Sequence, residues 1–206
     1  MRLLPSGTTA LLAEVEDGEG IDAVLALHAA IEEHRPDGVV DVVPAARTVL
    51  LVLDPARTTL AAVAAAVRRT TPRPGERAGG DTVELPVHYD GADLADVAEL
   101  LQTSPEDVVA RHTGAEWTVA FCGFAPGFGY LVQPGGAWDV PRRATPRTKV
   151  PPGSVALAGE FSGVYPRESP GGWQLVGRTD VAVFDLTREP AALLRPGTRV
   201  RFVAAP

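Results

Sequence analysis

TPRPGERAGGD, residues 71–81, packs two prolines, three glycines and four charged residues into eleven positions without any apolar periodicity. Such a stretch cannot add a face to a helix or a strand, so it reads as a linker. The chain changes character across it, and its reading divides the protein into residues 1–78 and residues 79–206.

Upstream, strand and helix alternate. TALLAEVE (9–16) is strand-like. Ile21, Val24, Leu25, His28 and Ile31 then fall at helical spacing, and Pro36-Asp37-Gly38 ends that helix. VVDVVP and TVLLVLD flank Ala45-Ala46-Arg47 as a hairpin. Leu60, Val63, Ala64 and Val67 give a second helix with a narrow apolar stripe. The order βαββα, completed by a closing strand, predicts the split βαβ arrangement of a ferredoxin-like α+β domain.

Downstream, TVELPVHY is a strand candidate, and Leu94, Val97, Ala98 and Leu101 make one helical stripe. Ser104-Pro105-Glu106-Asp107 offers an N-cap, a proline at the first helical position and acids in the first turn, so a second helix starts there. Val108 and His112 lie one turn apart on it. That makes His112 either an apolar-face residue or one aimed at whatever the face meets. From residue 116 the chain breaks into short runs punctuated by Gly and Pro: WTVAFCGF, SVALAG, WQLVGRT, VAVFDL and TRVRFVAA. These predict a mostly β domain, a barrel or sandwich, with no further helix.

Composition narrows the function. Net charge is −7, which opposes a nucleic-acid or anionic-membrane partner. No run approaches a membrane span, and proline and acid come too early for a secretory signal, so the expected location is cytoplasmic. The lone Cys122 excludes an intramolecular disulfide and reads as a small buried hydrophobe. The four histidines have no metal-ligand spacing, and no metal site is expected. Against the acidic background, PRRATPRTKVP (141–151) carries Arg142, Arg143, Arg147 and Lys149 and no carboxylate, leaving the rest of the chain near −11.

Familiar motifs fail. Lys149 is not preceded by a phosphate-cradling glycine turn, GFGYL has no third glycine or following helix, and no serine sits in a nucleophile elbow. What survives is a set of Gly- and Pro-rich loops that bring Arg142, Arg143, Arg147, Lys149, Arg167 and Arg178 together with Tyr130, Tyr165 and Trp173. Arginine forks on rigid loops suit a small anion; solvated arginines on plain corners are the competing reading. Within FCGFAPGFGYL (121–131), Phe121 to Phe124 reads as a strand end and Pro126 to Leu131 as a rigid lip beside the cationic pocket.

The residues from Pro86 to Phe202 resemble a known family. The motifs are PVHYDGADLADVAELLQTSPEDVVARHT, GFAPGFGYL, PRRATPRTKVPPGSVALAG, GVYPRESPGGWQLVGRTDVAVFD and PGTRVRF, in matching order and spacing. They resemble the family of the 5-oxoprolinase B subunit, also called allophanate hydrolase subunit 1 and named too for the sporulation kinase inhibitor KipI. The resemblance implies a ferredoxin-like domain followed by a cyclophilin-like β-barrel. It implies a non-autonomous subunit of an ATP-dependent 5-oxoprolinase, converting 5-oxo-L-proline to L-glutamate. The implied partners are a homologous cyclophilin-like subunit of the KipA or C type and a third subunit of the A type, with ATP bound mainly on a partner. Inhibition of a sporulation-type histidine kinase, and allophanate or urea-amide hydrolysis, are the alternatives it carries.

Residue by residue, the resemblance implies catalytic roles for His112, Arg142, Arg147 and Arg178, the arginines neutralising an anion and the histidine acting as acid, base or donor. It implies substrate contacts from Phe124, Pro126, Gly127 and Tyr130, from Gly153 and Ser154, from Tyr165, Ser169, Gly171, Gly172 and Trp173, and from Thr179. One departure stands out: many members read Gly-Asn-Gln-Thr where this chain has Gly159, Glu160, Phe161 and Ser162.

Overall fold

The computed structural model describes residues 1–16, 20–72, 82–133 and 138–206, so the linker expected at 71–81 lies almost wholly outside the described residues. The chain forms two compact units, Met1–Ala78 and Gly79–Pro206.

The first unit runs β1 (Arg2–Ser6), β2 (Ala10–Glu14), α1 (Gly20–Glu33), β3 (Val39–Pro44), β4 (Thr48–Leu53) and α2 (Leu60–Arg69). Its antiparallel sheet has the order β1-β2-β4-β3. Burial explains the elements. Ile21, Val24, Leu27 and Ile31 of α1 and Val63 and Val67 of α2 cover Leu11, Val42, Val49, Leu51 and Leu53. Thr59 starts α2 by accepting from the Ala62 amide at 3.2 Å.

The expected helices and the β3–β4 hairpin are present. The closing strand is not where the ferredoxin-like expectation puts it: the edge beside β2 is filled by β1, from the start of the chain. RLLPS offers little periodicity and contains Pro5, which an edge strand tolerates because its outward side needs no amide.

The second unit comprises β5 (Thr82–Val87), α3 (Leu94–Leu100), α4 (Pro105–Gly114), β6 (Trp117–Cys122), β7 (Gly129–Val132), β8 (Arg147–Val150), β9 (Ser154–Ala158), β10 (Phe161–Val164), β11 (Ser169–Gly171), β12 (Gln174–Arg178) and β13 (Arg199–Ala204). Seven strands form one sheet, β12-β9-β10-β7-β6-β13-β5, and β8 and β11 pair as a separate arm. The two sheet edges meet: His88 and Arg178 exchange both backbone hydrogen bonds at 2.9 Å, so the sheet curls back onto itself as a nearly closed barrel. Past that bridge the chain stays zipped to β12, Gly91 donating to Val176 O at 3.3 Å and Asp93 to Leu175 O at 2.9 Å. Only glycine fits at 91, where a Cβ would lie 2.3 Å from the Val176 carbonyl carbon.

Strand alternation gives this sheet two apolar faces. Val119, Leu131, Val155, Leu157 and Val164 share one with Val97, Ala98 and Val108 of α3 and α4. Ala156, Ala158 and Tyr130 lie on the other, among Phe128, Tyr165 and Trp173. Ser104 caps the start of α4, as the sequence predicts, and Asp107 completes a reciprocal capping box with it.

VAVFDL (181–186), expected as a strand, is a turn region. Asp185 accepts from the amide and hydroxyl of Thr187 and so bends the chain, and Leu186 is 83 % exposed. Conversely, Gly129–Val132 is strand β7 rather than a lip.

Candidate functional site

The second apolar face builds an aromatic cluster around Phe128. That ring, almost wholly buried, meets Phe124 at 5.4 Å, Tyr130 at 5.1 Å, Tyr165 at 5.3 Å and Trp173 at 5.3 Å between centroids, all edge-to-face. Tyr130 also stacks on Phe121 at 4.4 Å and meets Phe161 at 5.7 Å. These geometries are the ones aromatic quadrupoles favour.

One member breaks the burial pattern: Phe124 is 57 % exposed and its backbone is left-handed, with φ 66°. A bulky residue in that region is strained, and strain of this kind concentrates where function holds it in place. Gly127, three residues on, also has positive φ at 83°, and a Cβ there would fall 2.4 Å from Phe184 Cβ. The FAPG turn is thus fixed by a close approach on its inner side and presents Phe124 and Pro126 outward.

Charge enters from the 141–147 loop. Arg142 is exposed, and its charge acts on the phenols of both Tyr130 and Tyr165. Burial raises both phenols; Arg142 pulls each back down, and the Trp173 backbone also hydrogen-bonds the Tyr165 hydroxyl. Gly171 makes room for that hydroxyl, since a Cβ there would lie 2.3 Å from it.

The neighbouring arginines are committed elsewhere. Arg147 grips Asp93 with two hydrogen bonds, at 2.8 and 2.7 Å, and Arg143 Nη1 donates to the same carboxylate. Asp93 is 1 % exposed, and the Leu175 amide adds a further bond at 2.7 Å. Burial raises the Asp93 carboxyl, but the bonds from Arg147 and Leu175 and the two guanidinium charges outweigh it and hold the group below its ordinary range.

The structure therefore brings together Phe124, Pro126, Gly127, Tyr130, Tyr165, Gly171, Gly172 and Trp173, with Arg142 at the edge. Gly172 accepts the Arg143 amide at 2.8 Å, which ties the two loops. It does not bring the other expected residues to this face as free groups. Arg147 anchors Asp93. Arg178 sits at the barrel seam and pairs with Asp90 at 2.9 Å, and Lys149 pairs with Glu168 at 3.2 Å. Gly153, Ser154 and Thr179 are backbone fixtures: Gly153 donates to Tyr165 O at 2.7 Å, Ser154 O accepts the Tyr165 amide, and the Thr179 amide donates to Gly153 O. Ser169 is buried, its hydroxyl near Arg167 O at 3.4 Å.

His112 is the clearest correction. It is fully buried on the opposite face, stacked on Phe202 at 4.3 Å, with Tyr89 OH 2.7 Å from Nδ1 and Ser162 Oγ 2.9 Å from Nε2. Burial pushes its pKa down to about 3, so the ring is neutral and closed to a substrate at the aromatic face. It pins α4 to β10 and to the segment after β5. Cys122 is half-buried and its thiol is pushed up to about 11 by burial, an inert group.

Sequence reasoning missed Asp93, whose partners lie 50 and 54 residues away, and the central role of Phe128. The signal available for Asp93 was a loop with four cations and no local acid, which demands a carboxylate from elsewhere in the fold.

Comparison with known proteins agrees with this architecture. Residues 1–194 match the family model described as carboxyltransferase domain, subdomain C and D. Over 124 residues the chain is 49 % identical to the B subunit of 5-oxoprolinase from Escherichia coli O157:H7; the match takes in 59 % of this chain and 57 % of that protein, little more than half its length. The crystal structure of TTHA0988 superposes with a TM-score of 0.76 at 40 % identity, over 96 % of this chain and 40 % of the other. The urea amidolyase of K. lactis shares the fold alone, at a TM-score of 0.78 and 21 % identity over 98 % of this chain and 15 % of that one. The chain belongs to the carboxyltransferase subdomain C and D family, alongside proteins named as the B subunit of 5-oxoprolinase.

Proposed function

We propose that this chain is a non-autonomous subunit of an ATP-dependent 5-oxoprolinase, in which a ferredoxin-like N-terminal unit accompanies a cyclophilin-like barrel. Its aromatic face and Arg142 hold a small carboxylate-bearing substrate. The observation that carries the reading is an exposed arginine acting on two phenols at the rim of an aromatic cluster, in a chain 49 % identical over its matched part to a 5-oxoprolinase B subunit.

The division of labour follows from the chemistry. A lactam is a stabilised amide, and opening it near neutral pH benefits from ATP turning the carbonyl oxygen into a better leaving group before water completes the reaction. Arg142 pairs with the substrate carboxylate, the half-buried Tyr130 stays protonated and donates a hydrogen bond, and the exposed Phe124 covers the ring, with buried Tyr165 and Trp173 packed behind them. A triphosphate fits this chain poorly. The start of α4 is occupied by its own Ser104–Asp107 box, and Arg143, Arg147 and Lys149 are paired with carboxylates. ATP is therefore assigned mainly to a partner: a homologous cyclophilin-like subunit and a third, A-type subunit complete the enzyme in the cytoplasm.

Reconstitution tests this. Purified chain alone should not turn over 5-oxo-L-proline, and the chain with both partner subunits and ATP should release L-glutamate. Turnover by the single chain overturns the non-autonomous role, and silence of the full set overturns the 5-oxoprolinase assignment.

A further inference from the structure

We propose that Asp93 is the positioning residue of the aromatic face: its buried carboxylate holds the 141–147 loop so that Arg142 stands over Tyr130 and Tyr165. The inference rests on the functional reading above only for the identity of the ligand.

The geometry shows a single carboxylate serving as a hub for three chain segments. Asp93 accepts from Arg143, twice from Arg147 and once from the Leu175 amide, and its own amide donates to Leu175 O at 2.9 Å. It is therefore clamped to β12 on one side and to the loop on the other. The loop has further ties to the same region: Arg143 N donates to Gly172 O at 2.8 Å, and Gln174 Nε2 to Pro141 O at 3.1 Å. Arg142 lies between these anchors, and its direction is inherited from theirs.

The charge count separates positioning from plain electrostatics. Two guanidinium groups on one carboxylate leave the hub with one positive charge in excess, and Arg147 acts on the Tyr165 phenol beside Arg142. Removing the Asp93 charge makes the region more positive. If the hub contributed field alone, an anion would bind more tightly after that change. If it positions Arg142, the anion binds less tightly although the site is more cationic. The two accounts differ in sign.

The experiment uses Asp93→Asn, Arg142→Gln and the double variant. Hydrogen exchange on the isolated full chain reads the loop without any substrate. Asp93→Asn should speed exchange of the Arg143 amide roughly tenfold or more, while amides of β9 and β10 keep their protection. The assembled enzyme then gives KM for the carboxylate substrate. Asp93→Asn and Arg142→Gln should each raise KM roughly tenfold, and the double variant should be no worse than Arg142→Gln alone, because Asp93 acts through Arg142. Additive losses, a lowered KM in Asp93→Asn, or an unchanged Arg143 amide would overturn the proposal. Should Asp93→Asn lose the protection of β9 and β10 as well, Arg143→Gln, which leaves Asp93 paired with Arg147, takes its place and is read by exchange alone: the amide of residue 143 should exchange roughly tenfold faster while β9 and β10 stay protected, and an unchanged amide overturns the proposal. Absence of turnover in the wild-type assembly would defeat the functional reading and leave the exchange result to decide the positioning role.

Discussion

Replacing His112 by glutamine should flatten the acid side of the stability profile of the Gly79–Pro206 unit. The imidazole is fully buried among Trp117, Trp138 and Phe202, and both ring nitrogens already meet hydroxyls, at 2.7 and 2.9 Å. Protonation would not break those contacts, since both hydroxyls can accept. It would place a charge in the core with no carboxylate bonded to the ring, and that is why burial drives the pKa from 6.5 to about 3. The folded ring thus stays neutral while the unfolded one takes up a proton below about pH 6.5. Its contribution is complete above that value and is lost as pH falls toward 3. Each pH unit in this window costs about 1.4 kcal/mol, so wild type should lose about 2 kcal/mol between roughly pH 7.5 and pH 5.0 from this residue. The three tryptophans, Trp117, Trp138 and Trp173, all lie in this unit, so urea unfolding followed by tryptophan fluorescence reports it specifically. His112→Gln should start less stable at about pH 7.5 and then change by about 2 kcal/mol less than wild type down to about pH 5.0. Parallel curves for the two proteins would refute the reasoning.

Other perturbations follow from the same geometry. Gly127→Ala combines a left-handed backbone with a Cβ 2.4 Å from Phe184, so it should lower stability by about 2 kcal/mol or more in thermal unfolding as well as reduce activity. Arg147→Gln leaves Asp93 short of its bidentate partner and should cost about 3 kcal/mol by urea titration, whereas exposed Arg142→Gln should stay within about 0.5 kcal/mol and raise KM. Ser104→Ala removes the acceptor for the Asp107 amide and should cost about 1 kcal/mol, read as a lower midpoint with an unchanged urea slope.

Local signals were the readable ones. The helices of both units carry their apolar spacing within a short span of sequence, α2 and α4 carry caps there too, and the β3–β4 hairpin is two apolar runs around a short turn. RLLPS became strand β1 only because the β2 edge lay open to it, a tertiary reason with no periodic signature. VAVFDL has strand composition, yet Asp185 bends it through Thr187. His112 was ambiguous for a related cause. Helical spacing put it on the face of Val108, and whether that face met solvent, substrate or core depended on strands far along the chain. Asp93 looked like an ordinary acid at a helix start, a position where acids are common for the helix dipole alone.

The cationic segment shows how folding changes what a sequence offers a ligand. PRRATPRTKVP presents four positive charges. In the fold two of them share Asp93 and one faces Glu168, so the segment is reduced to Arg142 and the single excess charge of the hub. A ligand at the aromatic face therefore meets about one exposed guanidinium, the neutral phenol of half-buried Tyr130 and the exposed Phe124 ring, backed by buried aromatic side chains. That combination favours a compact monoanion with apolar faces over a polyphosphate, because each further anionic charge would be desolvated without a partner. Binding of a monocarboxylate to the assembled enzyme should then weaken only slightly as ionic strength rises, as expected for a single half-buried pair. A steep salt dependence, of the kind several exposed cations produce, would show that Arg143 and Arg147 leave Asp93 to take the ligand.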